Sequence, residues 1–86
     1  MRIPRDIDGK QLTILLAKYG YKVTRQTGSH IRLTSTICGE EHHVTIPDHS
    51  PLRIGTLSAV LVDIANYLNV SKDEIVIKLF TPRGHD

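Results

Sequence analysis

Residues 26–33 read QTGSHIRL, and this stretch decides the fold. Its Gly-Ser dipeptide predicts a tight turn that opens a strand. Successive side chains on a strand point to opposite faces, so His30 and Arg32 share one face while Ile31 and Leu33 share the other. The stretch therefore predicts a strand with a buried aliphatic face. Its other face meets water and carries a titratable imidazole beside a fixed cation.

Two further segments predict strands on either side of this one. Residues 21–26 alternate and are rich in β-branched and aromatic residues, which favours a strand paired antiparallel with residues 29–35. A Gly-containing turn then leads to residues 42–46, a third strand closed by Pro47. We expect a three-stranded antiparallel meander whose core face carries Val23, Ile31, Leu33, Val44 and Ile46.

A helix is predicted before the meander. Asp8 and Gln11 stand three residues apart, as in a capping box, and apolar residues follow at helical spacing. Gly20 supplies a left-handed stop, so the predicted helix covers residues 9–19.

Two helices are predicted after the meander. The spacing of residues 57–68 gives the clearest apolar stripe in the chain, with Asn69 as a C-cap. Ser71 and Glu74 form a second capping box, which predicts a short helix over residues 75–80, although residues 75–79 also alternate as a strand would. The members of the apolar stripe are Leu57, Val60, Leu61, Ile64, Ala65 and Leu68.

This element order predicts an α+β open sandwich, with the helices packed on one face of the sheet. The predicted domain covers residues 1–80, and residues 81–86 are expected to be a disordered tail. The uncovered face would be cationic and rich in hydroxyl groups, which suits an RNA backbone. It would carry Lys22, Thr24, His30, Arg32, Thr34, His43 and Thr45.

Composition limits the class of protein. With 86 residues and 40% hydrophobic content, the chain can form one small domain with an aliphatic core. No run approaches the ~18 apolar residues of a membrane span, and the N-terminus lacks the apolar core of a signal peptide. The single cysteine excludes an internal disulfide, so we expect a protein of the reducing cytoplasm. A net charge of +2 is only weak evidence for an anionic partner.

The order of several short motifs resembles the HicA family of bacterial and archaeal toxins, also called YcfA-like. The similarity runs from about residue 9 to residue 80, and its motifs are Gly20-Tyr21, the Gln-Thr-Gly-Ser-His of residues 26–30, residues 44–49 and residues 54–57. The resemblance implies a fold similar to double-stranded-RNA-binding domains and a ribosome-independent mRNA endonuclease activity. It also implies an antitoxin of the HicB type that covers the site. The family's catalytic histidine corresponds to His30.

Site residues follow from the resemblance and from side-chain chemistry together. An imidazole changes protonation near neutral pH, so His30 can transfer protons, and His43 is a candidate for a second proton-transfer group. Lys22, Ser29 and Arg32 are expected to bind RNA, while Gly28 shapes the turn. Each of these residues also has a simpler interpretation as an ordinary solvent-exposed side chain.

We expect no metal and no cofactor. One thiol and scattered histidines do not match the spacing of a zinc site, and adjacent His42 and His43 would point to opposite faces of a strand. Attack by the ribose 2′-OH, which would leave a 2′,3′-cyclic phosphate and a 5′-OH, is the corresponding hypothesis.

Two other functions are compatible with the sequence. The chain could be an RNA-binding module without catalysis, since docking an RNA backbone needs only charge and hydroxyl groups. It could also be an interaction domain with an inactive site, whose open face binds a partner chain. The sequence specifies neither an RNA sequence preference nor an oligomeric state.

Overall fold

The computed structural model describes residues 6–80 and confirms the predicted α+β architecture. The predicted tail over residues 81–86 lies outside the described residues. The elements, in chain order, are α1 (Gly9–Leu16), a 3₁₀ turn (Ala17–Tyr19), β1 (Lys22–Thr27), β2 (His30–Ser35), β3 (His42–Pro47), α2 (Ile54–Leu68) and α3 (Lys72–Phe80).

The predicted capping box starts α1. The backbone N–H of Gln11 donates to Asp8 Oδ1 at 2.7 Å, and the N–H of Asp8 donates to Gln11 Oε1 at 3.0 Å. Gly20, at φ 79°, ends the following 3₁₀ turn in the left-handed conformation that glycine adopts readily. At the start of α1, a side chain on Gly9 would overlap the carbonyl oxygen of Pro47. The helix therefore lies with its first turn against the end of β3.

The sheet is an antiparallel meander in the order β1-β2-β3. Ile31 pairs with Ile46 and Leu33 with Val44, and all four side chains are buried under the helices. This is the face predicted from the alternation of residues 30–33, and it forms one wall of a single aliphatic core. The other buried members of that core are Leu12, Leu16, Tyr21, Leu52, Leu57, Val60, Leu61, Ile64, Ala65, Ile75, Val76 and Leu79.

Val23, predicted on the core face of the sheet, is not buried in the core, because its side chain is 50% exposed. Val23 does pair with Leu33, so it lies on the helix side of the sheet. However, β1 is an edge strand, and all six of its residues are exposed. The helices cover β2 and β3 but do not extend far enough to bury the side chains of β1.

The two C-terminal helices are confirmed. Asn69 ends α2 in a left-handed conformation at φ 59°, and Ser71 Oγ accepts from the Glu74 N–H at 3.1 Å at the start of α3. Buried Ile75, Val76 and Leu79 follow helical spacing, which explains why alternation in this segment did not produce a strand. Within residues 6–80, no single helix has the length and apolar content needed to cross a membrane. The helices α2 and α3 meet these two criteria only when they are counted together, and they are bent by 110° relative to each other.

Candidate active site on the open face of the sheet

His30 is the first residue of β2 and is exposed. It follows a two-residue loop in which Gly28 has φ 56°, and it pairs with Thr27 on β1 and with Pro47 on β3. Turns of this length need positive φ, which glycine provides without strain. The Gly-Ser turn thus places the imidazole at one end of the open face.

The open face is organised in three rows that cross the sheet. The first row, at the turn, contains His30 between Thr27 and Pro47. The second row contains Arg32 between Arg25 and Thr45, and the third contains Thr34 between Lys22 and His43. Since residues on one face of a strand repeat every second position, neighbouring rows lie about 7 Å apart.

A shallow cleft of about 240 Å³ spans the first two rows and is lined by Arg25, Thr27, His30, Arg32 and Thr45. None of these lining residues, all within the described part of the chain, is acidic. The predicted pairing of His30 with Arg32 on one accessible face is therefore present, with Arg32 half-buried and His30 exposed. An imidazole, two guanidinium groups and two hydroxyls are a set that suits a phosphate ester.

The structure does not bring His43 to His30. The two side chains share the open face, but they are separated by two rows, which corresponds to about 13 Å along the sheet. His43 is held instead in its own row, where Nδ1 lies 2.7 Å from Thr34 Oγ1 and Nε2 lies 3.5 Å from Glu41 Oε1. Lys22 also stands in this distant row.

Arg25 is a cleft residue that the sequence did not predict. Strict alternation from Val23 would place Arg25 on the helix side, but the register shifts between these two residues. Thr24 is the extra residue of this β-bulge, and Arg25 consequently faces Arg32 on the open side. Bulges often contain glycine, and this one does not, so the sequence carries no signal that could have located it.

His42 lies on the other side of the sheet, as its adjacency to His43 predicted. Its ring stacks on Tyr67 with centroids 4.6 Å apart, its Nε2 lies 3.2 Å from Asp63 Oδ1, and its Nδ1 lies 2.6 Å from the Tyr21 hydroxyl. In the tautomer with its proton on Nε2, Nε2 donates to the Asp63 carboxylate, which can only accept, and Nδ1 accepts from the Tyr21 hydroxyl. These contacts join β3 to α2 and make His42 a structural residue.

Burial raises the pKa of the Tyr21 phenol, and nearby Tyr67, Asp63 and Cys38 raise it further. The phenol therefore stays protonated at neutral pH and is available as a donor to His42. Among residues 6–80, no group of three or more His, Cys, Asp or Glu side chains is arranged to hold a metal ion.

Comparison with known families agrees with the resemblance seen in the sequence. A family model described as "HicA toxin of bacterial toxin-antitoxin" matches residues 9–65. This match covers about two thirds of the chain and includes α1, the whole sheet and most of α2. No curated protein and no solved structure matches the chain.

Proposed function

Because the chain belongs to the HicA toxin family, we propose that it is an mRNA endoribonuclease in which His30 transfers the proton. Family membership makes it the toxin of a toxin–antitoxin system, with a cognate antitoxin as partner. We further propose that this antitoxin is of the HicB type and covers the open face. The toxin would act in the cytoplasm, where mRNA is translated.

The observation that carries the proposal is that His30 lines a cleft whose lining residues, among residues 6–80, include no acid. An imidazole exposed to solvent can reach a ribose 2′-OH and accept its proton. Arg32 lies two residues along the same face, which supports a role in neutralising the phosphate whose bond breaks. Ser29 lies in the turn beside the cleft, and Lys22 in the third row would bind RNA farther along its backbone.

The proposed reaction starts when neutral His30 removes the proton from the ribose 2′-OH. The 2′ oxygen attacks the adjacent phosphorus, the bond from phosphorus to the 5′ oxygen breaks, and a proton from water completes the leaving 5′-OH. The products are a 2′,3′-cyclic phosphate and a 5′-OH end. Water supplies the second proton because His43 stands about 13 Å from His30 along the sheet.

Replacing His30 tests the proposal. His30→Ala and His30→Gln should lose RNA cleavage but retain RNA binding and the native fold, since the side chain is exposed. His43→Gln is the matched control, because it removes an exposed histidine from the same face and should leave cleavage unchanged. Cleavage by both His30 variants at the wild-type rate would show that the imidazole is not the proton-transfer group. RNA binding without cleavage by the wild type would identify a non-catalytic RNA-binding module.

A further inference from the structure

Arg25 and Arg32 form an unusual pair. They stand directly opposite each other on adjacent antiparallel strands, with both side chains on the open face. Like charges in this position repel and destabilise a sheet. Within residues 6–80, the ion pairs join Lys10 to Asp48 and two histidines to acids, and none involves either arginine. The repulsion between the two guanidinium groups is therefore not offset by an acid of the described chain.

The β-bulge that creates this pair is itself held by side chains. Thr24 Oγ1 lies 2.9 Å from Thr34 Oγ1 and 3.4 Å from the carbonyl oxygen of Arg32. Both contacts cross from β1 to β2, so they fix the extra residue against the neighbouring strand. The register that brings Arg25 to the cleft is thus built into the hairpin.

We infer that Arg25 and Arg32 form a two-guanidinium clamp that binds one phosphate group in the cleft. Identifying that group as the scissile phosphate of RNA depends on the proposed function, whereas anion binding by the clamp does not. One guanidinium group can donate two parallel hydrogen bonds to two phosphate oxygens. A phosphate between two guanidinium groups is attracted to both of them, which offsets the repulsion between the two arginines. The cleft, at about 240 Å³, is below the ~300–1,000 Å³ of pockets that enclose a drug-sized ligand, so it suits a single group of a larger molecule.

The clamp gives the two arginines a role in the chemistry as well as in binding. Attack on phosphorus concentrates negative charge on the phosphate oxygens, and donors already in position stabilise that charge without reorganising. His30 lies one row away on the same face, about 7 Å along the sheet, which leaves room for a ribose between imidazole and clamp. Arg25 is thereby assigned as a substrate-contacting residue on the strand opposite Arg32.

The first test uses inorganic phosphate and thermal unfolding, and needs no RNA cleavage. Phosphate should raise the Tm of the wild type, and Arg25→Gln should abolish most of that rise. At low salt and without phosphate, Arg25→Gln should unfold at a temperature equal to or above that of the wild type, because the repulsion is relieved. Arg53→Gln is the matched control: Arg53 is exposed before α2, outside the cleft, and its removal should leave the phosphate effect unchanged.

The second test uses an RNA oligonucleotide carrying 2′-O-methyl groups, which cannot be cleaved by 2′-OH attack. Arg25→Gln should weaken its binding about tenfold or more, as expected for loss of a hydrogen bond to a charged group. The slope of log affinity against log salt should become shallower by about 0.7, the value for one phosphate contact on a single strand. Arg25→Lys should retain the slope but lose part of the affinity, because lysine keeps the charge without the paired donors.

The clamp is overturned if Arg25→Gln and Arg53→Gln respond alike to phosphate and to the oligonucleotide. Failure of the proposed nuclease activity is a separate result, seen as absence of RNA cleavage by a wild type that still shows the Arg25-dependent phosphate effect.

Discussion

The backbone N–H of Asp48 donates to the carbonyl oxygen of Ser29 at 2.7 Å, which ties the chain just beyond β3 to the turn before His30. On the other side of the turn, Thr27 pairs with His30 in the β1–β2 ladder. The turn is therefore held from both neighbouring strands. The backbone geometry of the turn sets the position of the imidazole. We therefore expect small changes in the turn conformation to move the His30 side chain.

Gly28→Ala tests this dependence. Gly28 has φ 56°, and apart from its neighbours in the chain no atom of residues 6–80 lies within 4 Å of the position that a methyl group would take. The substitution therefore introduces backbone strain without a clash. We expect a loss of about 1–2 kcal/mol in the free energy of unfolding, together with reduced RNA cleavage. Chemical denaturation and a cleavage assay measure the two effects.

Gly55→Ala provides the matched control for Gly28→Ala. Gly55 lies in the first turn of α2, and beyond its own helix an added methyl there also meets no atom of the described chain within 4 Å, but its φ is not in the left-handed region. Alanine should stabilise the helix by up to about 1 kcal/mol and leave cleavage unchanged. Equal effects of the two substitutions would mean that positive φ at the turn is not what positions His30.

Cleavage should depend on pH in the direction expected of a general base. A base must be unprotonated to accept the 2′-OH proton, so the rate at saturating RNA should fall as the pH is lowered from neutral. RNA should bind more tightly as the pH drops, because protonated histidines add positive charge to the open face. The His43→Gln variant should keep the same rate profile. Loss of activity on adding EDTA, or a rate that rises in acid, would contradict a metal-independent reaction with His30 as base.

RNA binding should weaken steeply with salt and should not depend on aromatic stacking. Lys22, Arg25 and Arg32 lie on the open face, and at about 0.7 per phosphate these cations predict a slope near −2 for log affinity against log salt. The chain's aromatic side chains are Tyr19, Tyr21, Tyr67 and Phe80, and all are buried or half-buried on the helix side. Binding that is insensitive to salt would show that phosphate contacts do not dominate.

Tyr21→Phe should change the alkaline stability of the protein. Because burial raises the pKa of the Tyr21 phenol above its ordinary value of 10.0, the unfolded chain releases this proton first as pH rises. The free energy of unfolding of the wild type should therefore fall above pH 10, by up to about 1.4 kcal/mol per pH unit for this group.

The variant lacks both the ionisable group and the hydrogen bond to His42. It should be less stable by about 1 kcal/mol near pH 7, and its disadvantage should shrink above pH 10. Denaturant unfolding from pH 7 to pH 11 measures the difference. If the difference in free energy of unfolding between wild type and variant stayed constant across this range, the phenol would ionise equally in the folded and unfolded states.

Much of the fold could be predicted because local signals agreed with the global arrangement. The Asp8–Gln11 box, the left-handed residues Gly20 and Asn69, and the apolar stripe of α2 each specify a boundary or a buried face by their own chemistry. The alternation of residues 30–33 likewise specified which side of β2 is buried, and with it the exposure of His30.

The rest depends on contacts that no local pattern encodes. The exposure of Val23 follows from how far the helices extend over an edge strand, which is a property of tertiary packing. Likewise, alternation correctly placed His43 on the face of His30, but the pairing register sets the distance between them. Arg25 was missed because one residue of β1 is bulged. A bulge interrupts the alternation of side chains between the two faces, so the face of a residue after the bulge does not follow from its spacing to residues before it.

Because of the bulge at Thr24, the number of residues in β1 can change by one without changing which face the side chains after the bulge occupy. Deleting Thr24 would leave Val23 opposite Leu33 and Arg25 opposite Arg32, in a regular ladder. In an unbulged strand, gaining or losing one residue inverts every later side chain. Here the hairpin can exist in two lengths that present the same clamp and the same Gly-Ser-His turn. Deletion of the Thr24 codon is therefore expected to leave the geometry of the site unchanged, whereas deletion of one residue within β2 would bury the arginine and expose the core.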